Sequence, residues 1–137
     1  MTKIFCFGNP YIDHDGVALE LADELAKEDD FSQIEFIKCE TPDSLLEYNG
    51  DCEGETIHIL DVVRGIKEVS IIDDVDKLES HSLVSLHDFD LGFFLKLIQA
   101  AGQVKKVRII GIPYGQKKDE CEDEVKKIIL GANNARK

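Results

Sequence analysis

A short apolar run near the start of the chain ends at a turn and gives way to a helical pattern. Residues 4–7 have the composition of a buried strand, Gly8-Asn9-Pro10 stops it, and apolar side chains recur at helical spacing over residues 17–26. A strand followed by a helix in this way begins an α/β unit, whose loop lies at the carboxyl edge of the sheet. Ligands bind at that edge in open α/β sheets, so the first loop is a candidate functional segment.

The alternation of strands and helices continues to the end of the chain. Further strands are predicted over residues 34–39, 56–60, 68–72 and 107–112, and further helices over residues 41–48, 91–101 and 122–130. This alternation indicates a three-layer α/β/α domain. At 137 residues, the chain from 1 to 137 is expected to form a single domain.

The connection between the predicted third and fourth strands limits the topology. Only about seven residues separate them, whereas a parallel crossover needs a dozen or more. The fourth strand is therefore expected to run antiparallel to the third, or to lie elsewhere on the sheet.

The net charge of the chain argues against two classes of binding partner. Lys and Arg number 16 and Asp and Glu 28, which gives a formal net charge of −12. Because nucleic acids and anionic membranes repel an acidic protein, neither is expected as a partner; a basic partner or solubility accounts for the excess. No apolar run approaches the roughly 18 residues of a membrane span, and the N-terminus enters a strand at once. The prediction is a cytoplasmic protein without signal peptide or membrane span.

The four cysteines show neither C-x-x-C nor a metal-ligand spacing. Cys6 and Cys39 lie inside apolar, strand-like runs, where cysteine behaves as a small buried hydrophobe. Reduced thiols are therefore predicted, in keeping with a cytoplasmic location.

Three residues combine a metal-ligating side chain with a position at the carboxyl edge of the sheet. Asp15 lies where the first loop becomes the first helix, Asp61 ends the third strand, and His87 precedes the most apolar helix. Doubly wound topology brings the first and third strands together, so the three converge if residues 85–88 fold over the same edge. Two carboxylates and an imidazole leave open coordination positions and suit a borderline divalent cation.

Each of these residues also has a structural interpretation. Asp15 is suited to an N-cap, Asp61 to a turn or cap, and His87 to a cap or a satisfied hydrogen bond. His14 is either a further ligand or a surface histidine, and His58, inside a strand, is interpreted as structural. The G-x-S-x-G, G-x-G-x-x-G and Walker A patterns are absent, so a serine hydrolase elbow and a nucleotide site lose their main support.

Four short motifs follow one another along the chain: Gly8-Asn9 with His14-Asp15-Gly16, then Asp61-Val62, Ser85-Leu86-His87 and Ile110-Gly111-Ile112-Pro113. Motifs of this kind occur in the same order in the hydrogenase maturation endopeptidases, and the chain resembles that family. Gly8-Asn9, four spacers and then His14-Asp15-Gly16 are similar to its first motif, with Asp15 on the second acid. The later matches are Asp61-Val62 after the third strand, Ser85-Leu86-His87, and Ile110-Gly111-Ile112-Pro113. The chain departs from the pattern at His14, which replaces the usual first acid, and after Asp61, where residues 63–68 lack Pro-Gly-Thr.

The resemblance implies a fold and an activity. The implied fold is a phosphorylase/hydrolase-like α/β/α domain with a mixed five-stranded sheet, one strand of which is antiparallel. The implied activity is that of an endopeptidase, of aspartyl type, that removes a C-terminal extension from the large-subunit precursor of a nickel–iron hydrogenase after nickel insertion.

The resemblance also assigns roles to the candidate residues. Asp15, Asp61 and His87 are expected to contact nickel that belongs to the substrate, so no resident cofactor is expected, and Asp15 or Asp61 is the candidate general base. The partner is then the precursor, and the protein itself is expected to be a monomer. Two alternatives stay open: a non-catalytic factor that binds metal or precursor, and a small hydrolase that holds its own metal.

Overall fold

The computed structural model describes residues 2–8, 16–39, 56–73, 84–85 and 106–135. The strands are β1 Thr2–Phe7, β2 Ile34–Cys39, β3 Thr56–Arg64, β4 Ser70–Ile72, β5 Val84–Ser85 and β6 Lys106–Pro113. The helices are α1 Val17–Leu25 and α2 Lys118–Ala135, and a short 3-10 helix, Asp29–Phe31, follows α1. The predicted helices over residues 41–48 and 91–101 lie outside the described residues.

The described strands form one mixed sheet in the order β2-β1-β3-β6-β4, and β5 pairs with β3 beside this path. β1 runs parallel to β2 and β3, and β6 runs parallel to β3. β4 pairs antiparallel with β6, and β5 antiparallel with β3. The predicted sheet of five strands, one of them antiparallel, is confirmed along this path, and β5 is an addition that was not predicted.

The predicted fourth strand is found at the edge of the sheet. β4 begins two residues later than predicted and pairs with residues 109–111 of β6 rather than with β3. Because β6 is parallel to β3, β4 is also antiparallel to β3. The short connection between β3 and β4 therefore has the consequence expected from its length.

Alternate side chains of the central strands enter two cores on opposite faces of the sheet. The core that includes α1 and α2 takes from the central strands Ile4, Cys6, Leu60, Val62, Ile110 and Ile112. The other core takes from them Phe5, Phe7, Ile57, Ile59, Val63, Val107 and Ile109. Both faces of the sheet are thus buried, as a three-layer domain requires.

The first helix has the predicted amphipathic pattern. Val17, Leu21 and Leu25 are buried at helical spacing. Gly16 occupies the N-cap position, and its carbonyl oxygen accepts a hydrogen bond from the amide of Glu20 at 3.0 Å. The N-cap is therefore Gly16, one residue after the candidate Asp15, which lies outside the described residues.

The last helix is longer than predicted at both ends. It spans Lys118–Ala135, whereas the sequence pattern indicated residues 122–130. The amide of Lys117 donates to Glu120 Oε1 at 3.2 Å, which satisfies one of the free amides that precede the first turn. This local bond explains why the helix begins before its apolar stripe does.

The predicted inward face of α2 is confirmed. Val125 and Ile129 are buried, and Ile128 packs against the same core while remaining partly exposed. Lys126 Nζ lies 3.1 Å from the Glu28 carboxylate, and this ion pair joins α2 to the segment that follows α1.

Three cysteines lie within the described residues, and all three are buried free thiols: Cys6, Cys39 and Cys121. The interpretation of Cys6 and Cys39 as small buried hydrophobes is confirmed, and Cys52 lies outside the described residues. Burial raises the pKa of the Cys6 thiol far above its ordinary value. No helix in the described ranges is long and apolar enough to cross a membrane.

Candidate functional site at the carboxyl edge of the sheet

Asp61 lies inside β3 rather than at its end. The strand was predicted to stop at residue 60, but it continues to Arg64 because β6 pairs with it as far as Val63. The registered pairing with β1, in contrast, stops at Leu60. Asp61 is therefore the first residue of β3 beyond its registered pairs with β1, and the interpretation as a turn residue is wrong.

The Asp61 side chain is a buried carboxylate, with an exposed fraction of 1%. Its Oδ1 accepts a hydrogen bond from the amide of Val62 at 2.9 Å. Burying a carboxylate is costly unless it is bonded, and this hydrogen bond offsets part of that cost. The bond to Val62 fixes one carboxylate oxygen to the backbone of the same strand.

The position beside Asp61 on β6 has no side chain. Gly111 is the register partner of Asp61. A Cβ at this glycine would lie 3.1 Å from Ile66 Cδ1 and 3.5 Å from Val63 Cγ2. Apolar side chains therefore fill the space over Gly111, on the face of the sheet that carries Asp61.

The segment that carries the histidine motif begins within reach of this position. β5 pairs Ser85 with Val63, two residues after Asp61. Ser85 is the residue of segment 85–88 that the structure describes, and its pair with Val63 places it at the carboxyl end of β3. His87 lies outside the described residues.

Asp15 and His14 also lie outside the described residues, and the structure describes the chain again from Gly16. Within the described ranges no three His, Cys, Asp or Glu side chains form a group that would hold a metal ion. Asp61 is the member of the predicted triad that those ranges contain. The convergence of Asp15, Asp61 and His87 remains a prediction.

His58 is on the other face of the sheet. Its exposed fraction is 9%, and its register partners are Ile4 and Arg108. Because side chains alternate along a strand, His58 and Asp61 leave opposite faces of β3. This separation from Asp61 agrees with the structural interpretation of His58.

Two contacts near Asp61 were not predicted. Gly111 belongs to the motif at residues 110–113, but no role is predicted from the sequence for it or for Ile66. An isolated glycine within a strand pattern often marks a close approach of another group, and this signal was available at Gly111. The amide of Tyr114 also donates to the Val63 carbonyl at 3.1 Å, which extends the contact between β3 and the end of β6.

The fold is similar to that of several solved structures. No family model matches the sequence, and no curated protein matches it significantly. Solved structures do match: the endopeptidase HycI from Escherichia coli is 18% identical, with 96% of this chain and 90% of that chain covered and a TM-score of 0.66. The chain has the fold of the hydrogenase maturation proteases.

Two further hydrogenase maturation proteases have the same fold. A [NiFe] hydrogenase maturation protease HycI from Thermococcus kodakarensis KOD1 is 19% identical over 95% of this chain and 90% of that chain, with a TM-score of 0.60. A hydrogenase 2 maturation peptidase from Thaumarchaeota archaeon SCGC_AB-539-E09 is 15% identical over 96% of this chain and 97% of that chain, with a TM-score of 0.59.

The likeness to these hydrogenase maturation proteases confirms the predicted fold class. The shared architecture is an α/β fold with a mixed sheet, whose main path in the described residues has five strands. At identities of 15% to 19%, the likeness concerns the fold.

Proposed function

We propose that this chain is an endopeptidase that removes the C-terminal extension of a nickel–iron hydrogenase large-subunit precursor after nickel insertion. The observation that carries the proposal is Asp61, a buried carboxylate in a central strand, just beyond its registered pairs with β1. The fold of the hydrogenase maturation proteases supports it, as does the order of the four motifs.

The proposed site consists of Asp15, Asp61 and His87. Asp15 directly precedes Gly16, the N-cap of α1, and α1 contacts both β1 and β3. His87 follows Ser85 by two residues, and two residues of extended chain span at most about 7 Å. Ser85 is itself paired two residues from Asp61. These anchors favour a common site at the carboxyl edge of β3.

The donor set suits nickel that arrives with the substrate. Two carboxylates and an imidazole fit a borderline divalent cation and leave coordination positions for groups of the precursor. Contact with that ion would make cleavage conditional on nickel insertion. The protein then needs no resident metal.

The chemistry proposed for the site is hydrolysis of one peptide bond. The substrate's metal polarises the scissile carbonyl or the attacking water, and Asp15 or Asp61 accepts the proton of that water. The proton then passes to the leaving amine. The buried position of Asp61 excludes bulk water from one side of this reaction.

The remaining parts of the proposal follow from the same role. The protease is of aspartyl type, since its candidate bases are carboxylates, and it acts in the cytoplasm as a monomer. Its partner is the precursor, and neither nucleic acid nor a membrane is required.

The test uses large-subunit precursors from nickel–iron hydrogenases, each prepared with and without nickel. We expect loss of a defined C-terminal peptide from the nickel-loaded form of a cognate precursor, measured by intact-protein mass spectrometry. Equal cleavage of both forms would refute recognition of nickel, and no cleavage of any loaded precursor would refute the protease role.

The two alternative functions predict other results. A non-catalytic factor would bind the loaded precursor tightly and leave its mass unchanged. A small hydrolase with its own metal would contain stoichiometric zinc or nickel when freshly purified, as measured by elemental mass spectrometry.

A further inference from the structure

Asp61 on β3 lies in a row of paired residues that continues across β6 and β4, and the middle residue of this row has no side chain. Asp61 pairs with Gly111, and Gly111 pairs with Ser70. Paired residues of neighbouring strands project to the same face, so a side chain at position 111 would stand between the other two. The glycine leaves that space to residues from elsewhere.

Ile66 takes the space that Gly111 leaves. Its Cδ1 would be 3.1 Å from a Cβ at position 111, closer than Ile72 Cδ1 at 3.4 Å or Val63 Cγ2 at 3.5 Å. Ile66 packs against the core on this face while remaining partly exposed. Together these apolar atoms form a wall over Gly111, the register partner of Asp61 on β6.

The backbone before Ile66 has a conformation that favours glycine. Gly65 has φ of 101°, in the left-handed region that other residues rarely adopt. This glycine and Ile66 belong to residues 63–68, where the chain lacks the Pro-Gly-Thr of the family it resembles. Two residues of the wall, Val63 and Ile66, therefore come from the segment that departs from the family's pattern.

We propose that Gly111 and Ile66 act together as positioning residues for the Asp61 carboxylate. Oδ1 is held by the Val62 amide at 2.9 Å, and the wall limits movement of the carboxylate toward β6. The inference rests on the proposed function for its catalytic meaning, because a fixed carboxylate matters where it must meet the substrate's metal or a water. Neither residue touches the reacting atoms.

The test begins with Gly111→Ala, which adds a Cβ 3.1 Å from Ile66 Cδ1 and so displaces that side chain. We expect kcat for precursor cleavage to fall by about tenfold, with KM little changed, since misplacement of a catalytic group lowers rate steeply. The second variant is Gly111→Ala with Ile66→Val, which removes the displaced Cδ1. We expect it to restore most of kcat.

Ile109→Val is the matched control. It removes a Cδ1 atom, as Ile66→Val does, but from β6, two residues from Gly111 and in the same core. A purely structural effect would lower the melting temperature in this control and in Gly111→Ala alike. We expect the control to retain wild-type kcat, whereas an equal loss of kcat in the control would overturn the proposal.

A second measurement is independent of activity. The Val62 amide proton is bonded to Asp61 Oδ1, so its NMR resonance reports the position of the carboxylate. We expect this resonance to move in Gly111→Ala, to return in the double variant and to stay in place in Ile109→Val. An unmoved resonance in Gly111→Ala would overturn the inference, whether or not wild-type protein cleaves a precursor.

If Gly111→Ala does not fold, a third variant, Ile66→Ala, still tests the proposal. Ile66→Ala opens the same side of Asp61 without adding an atom to the sheet. We expect it to shift the Val62 resonance and lower kcat. Wild-type values for both would overturn the proposal, whereas failure of wild-type protein to cleave any loaded precursor would instead refute the proposed function.

Discussion

The side chain of Asp61 has an observed structural contact and a proposed chemical role. One of its oxygens satisfies the amide of Val62, just beyond the registered pairs of β1 with β3. The carboxylate has a second oxygen with lone pairs of its own. A residue arranged this way can be replaced by its amide with little change in shape.

Asp61→Asn separates charge from shape at this position. The amide keeps an oxygen for the Val62 bond but removes the negative charge and the basic site. We expect the fold to be retained and precursor cleavage to fall at least about 100-fold, the scale of losing a general base. Circular dichroism of the variant checks that the fold is retained, and mass spectrometry of the product measures the loss of cleavage.

Glu35→Gln is the control for that change, because it neutralises an exposed carboxylate on the edge strand β2. It should cleave at the wild-type rate. If Asp61→Asn cleaves as fast as Glu35→Gln, Asp61 takes no part in catalysis.

We expect the buried thiol of Cys121 to make the free energy of unfolding fall as the pH rises into the alkaline range. Burial raises the pKa of its thiol from 9.0 to about 11. Above pH 9 the unfolded chain loses this proton while the folded chain keeps it, so the stability that the neutral thiol contributes falls as pH rises from 9.0 to about 11. The slope from one such group is at most about 1.4 kcal/mol per pH unit.

Cys121→Ala isolates this effect. Urea unfolding at several pH values in that window gives the free energy of unfolding for both proteins. We expect the wild-type advantage over the variant to shrink as pH rises. Asp119→Asn, which alters an exposed carboxylate of the same helix, should keep the wild-type slope; a pH-independent difference for Cys121→Ala would contradict the prediction.

At the scale of elements, α1 packs against one face of the sheet through a few buried side chains. Leu21 is fully buried in the core that α1 shares with α2 and the central strands. We expect Leu21→Ala to lower the free energy of unfolding by about 2–5 kcal/mol, through lost burial and the cavity it leaves. Chemical denaturation measures the change.

Glu20→Ala is the comparison within the same helix, since Glu20 is exposed. Its effect should lie within about 0.5 kcal/mol of zero. Equal losses from the two variants would contradict the packing explanation, because alanine preserves helical propensity at both positions.

Most of the described elements were predictable because their signals are local. The apolar runs of β1, β2 and β6 and the stripe of α1 are contiguous in sequence, and each bound was predicted to within one or two residues. The end of β3 was not, because its last residues depend on β6, more than 40 residues later. β5 was not predicted for a similar reason. It consists of two residues, and their strand conformation depends on pairing with β3 rather than on a pattern in the sequence.

The candidate site was predictable only in part. Asp61 was identified because an acid after an apolar run is conspicuous, but its burial within the strand follows from pairing that the sequence does not display. The contact of Ile66 with Gly111 depends on a turn at Gly65 and on a strand from another part of the chain. Such contacts between distant segments are fixed by packing rather than by periodicity.

At the scale of the whole molecule, charge dominates the long-range interactions. The net charge of −12 and a pI of about 4.6 leave the protein strongly anionic at neutral pH. We expect no binding to duplex DNA or to anionic phosphatidylserine vesicles at low ionic strength, measured by gel shift and by sedimentation.

A basic protein of similar size serves as the positive control for both assays. Retention of this chain by either ligand at low salt would contradict the prediction. It would also reveal a local basic surface that the overall charge conceals.

The strand order carries a further consequence, which concerns aggregation. Among the described strands, β2 and β4 are the outer ones, and an outer strand can template pairing with another copy. β4 is three residues long, and β2 presents the exposed charged side chains of Glu35 and Lys38. Short length and charge are the devices by which natural sheets avoid growth into fibrils. Lengthening β4 with alternating apolar residues is therefore a direct route to an aggregating variant of this protein.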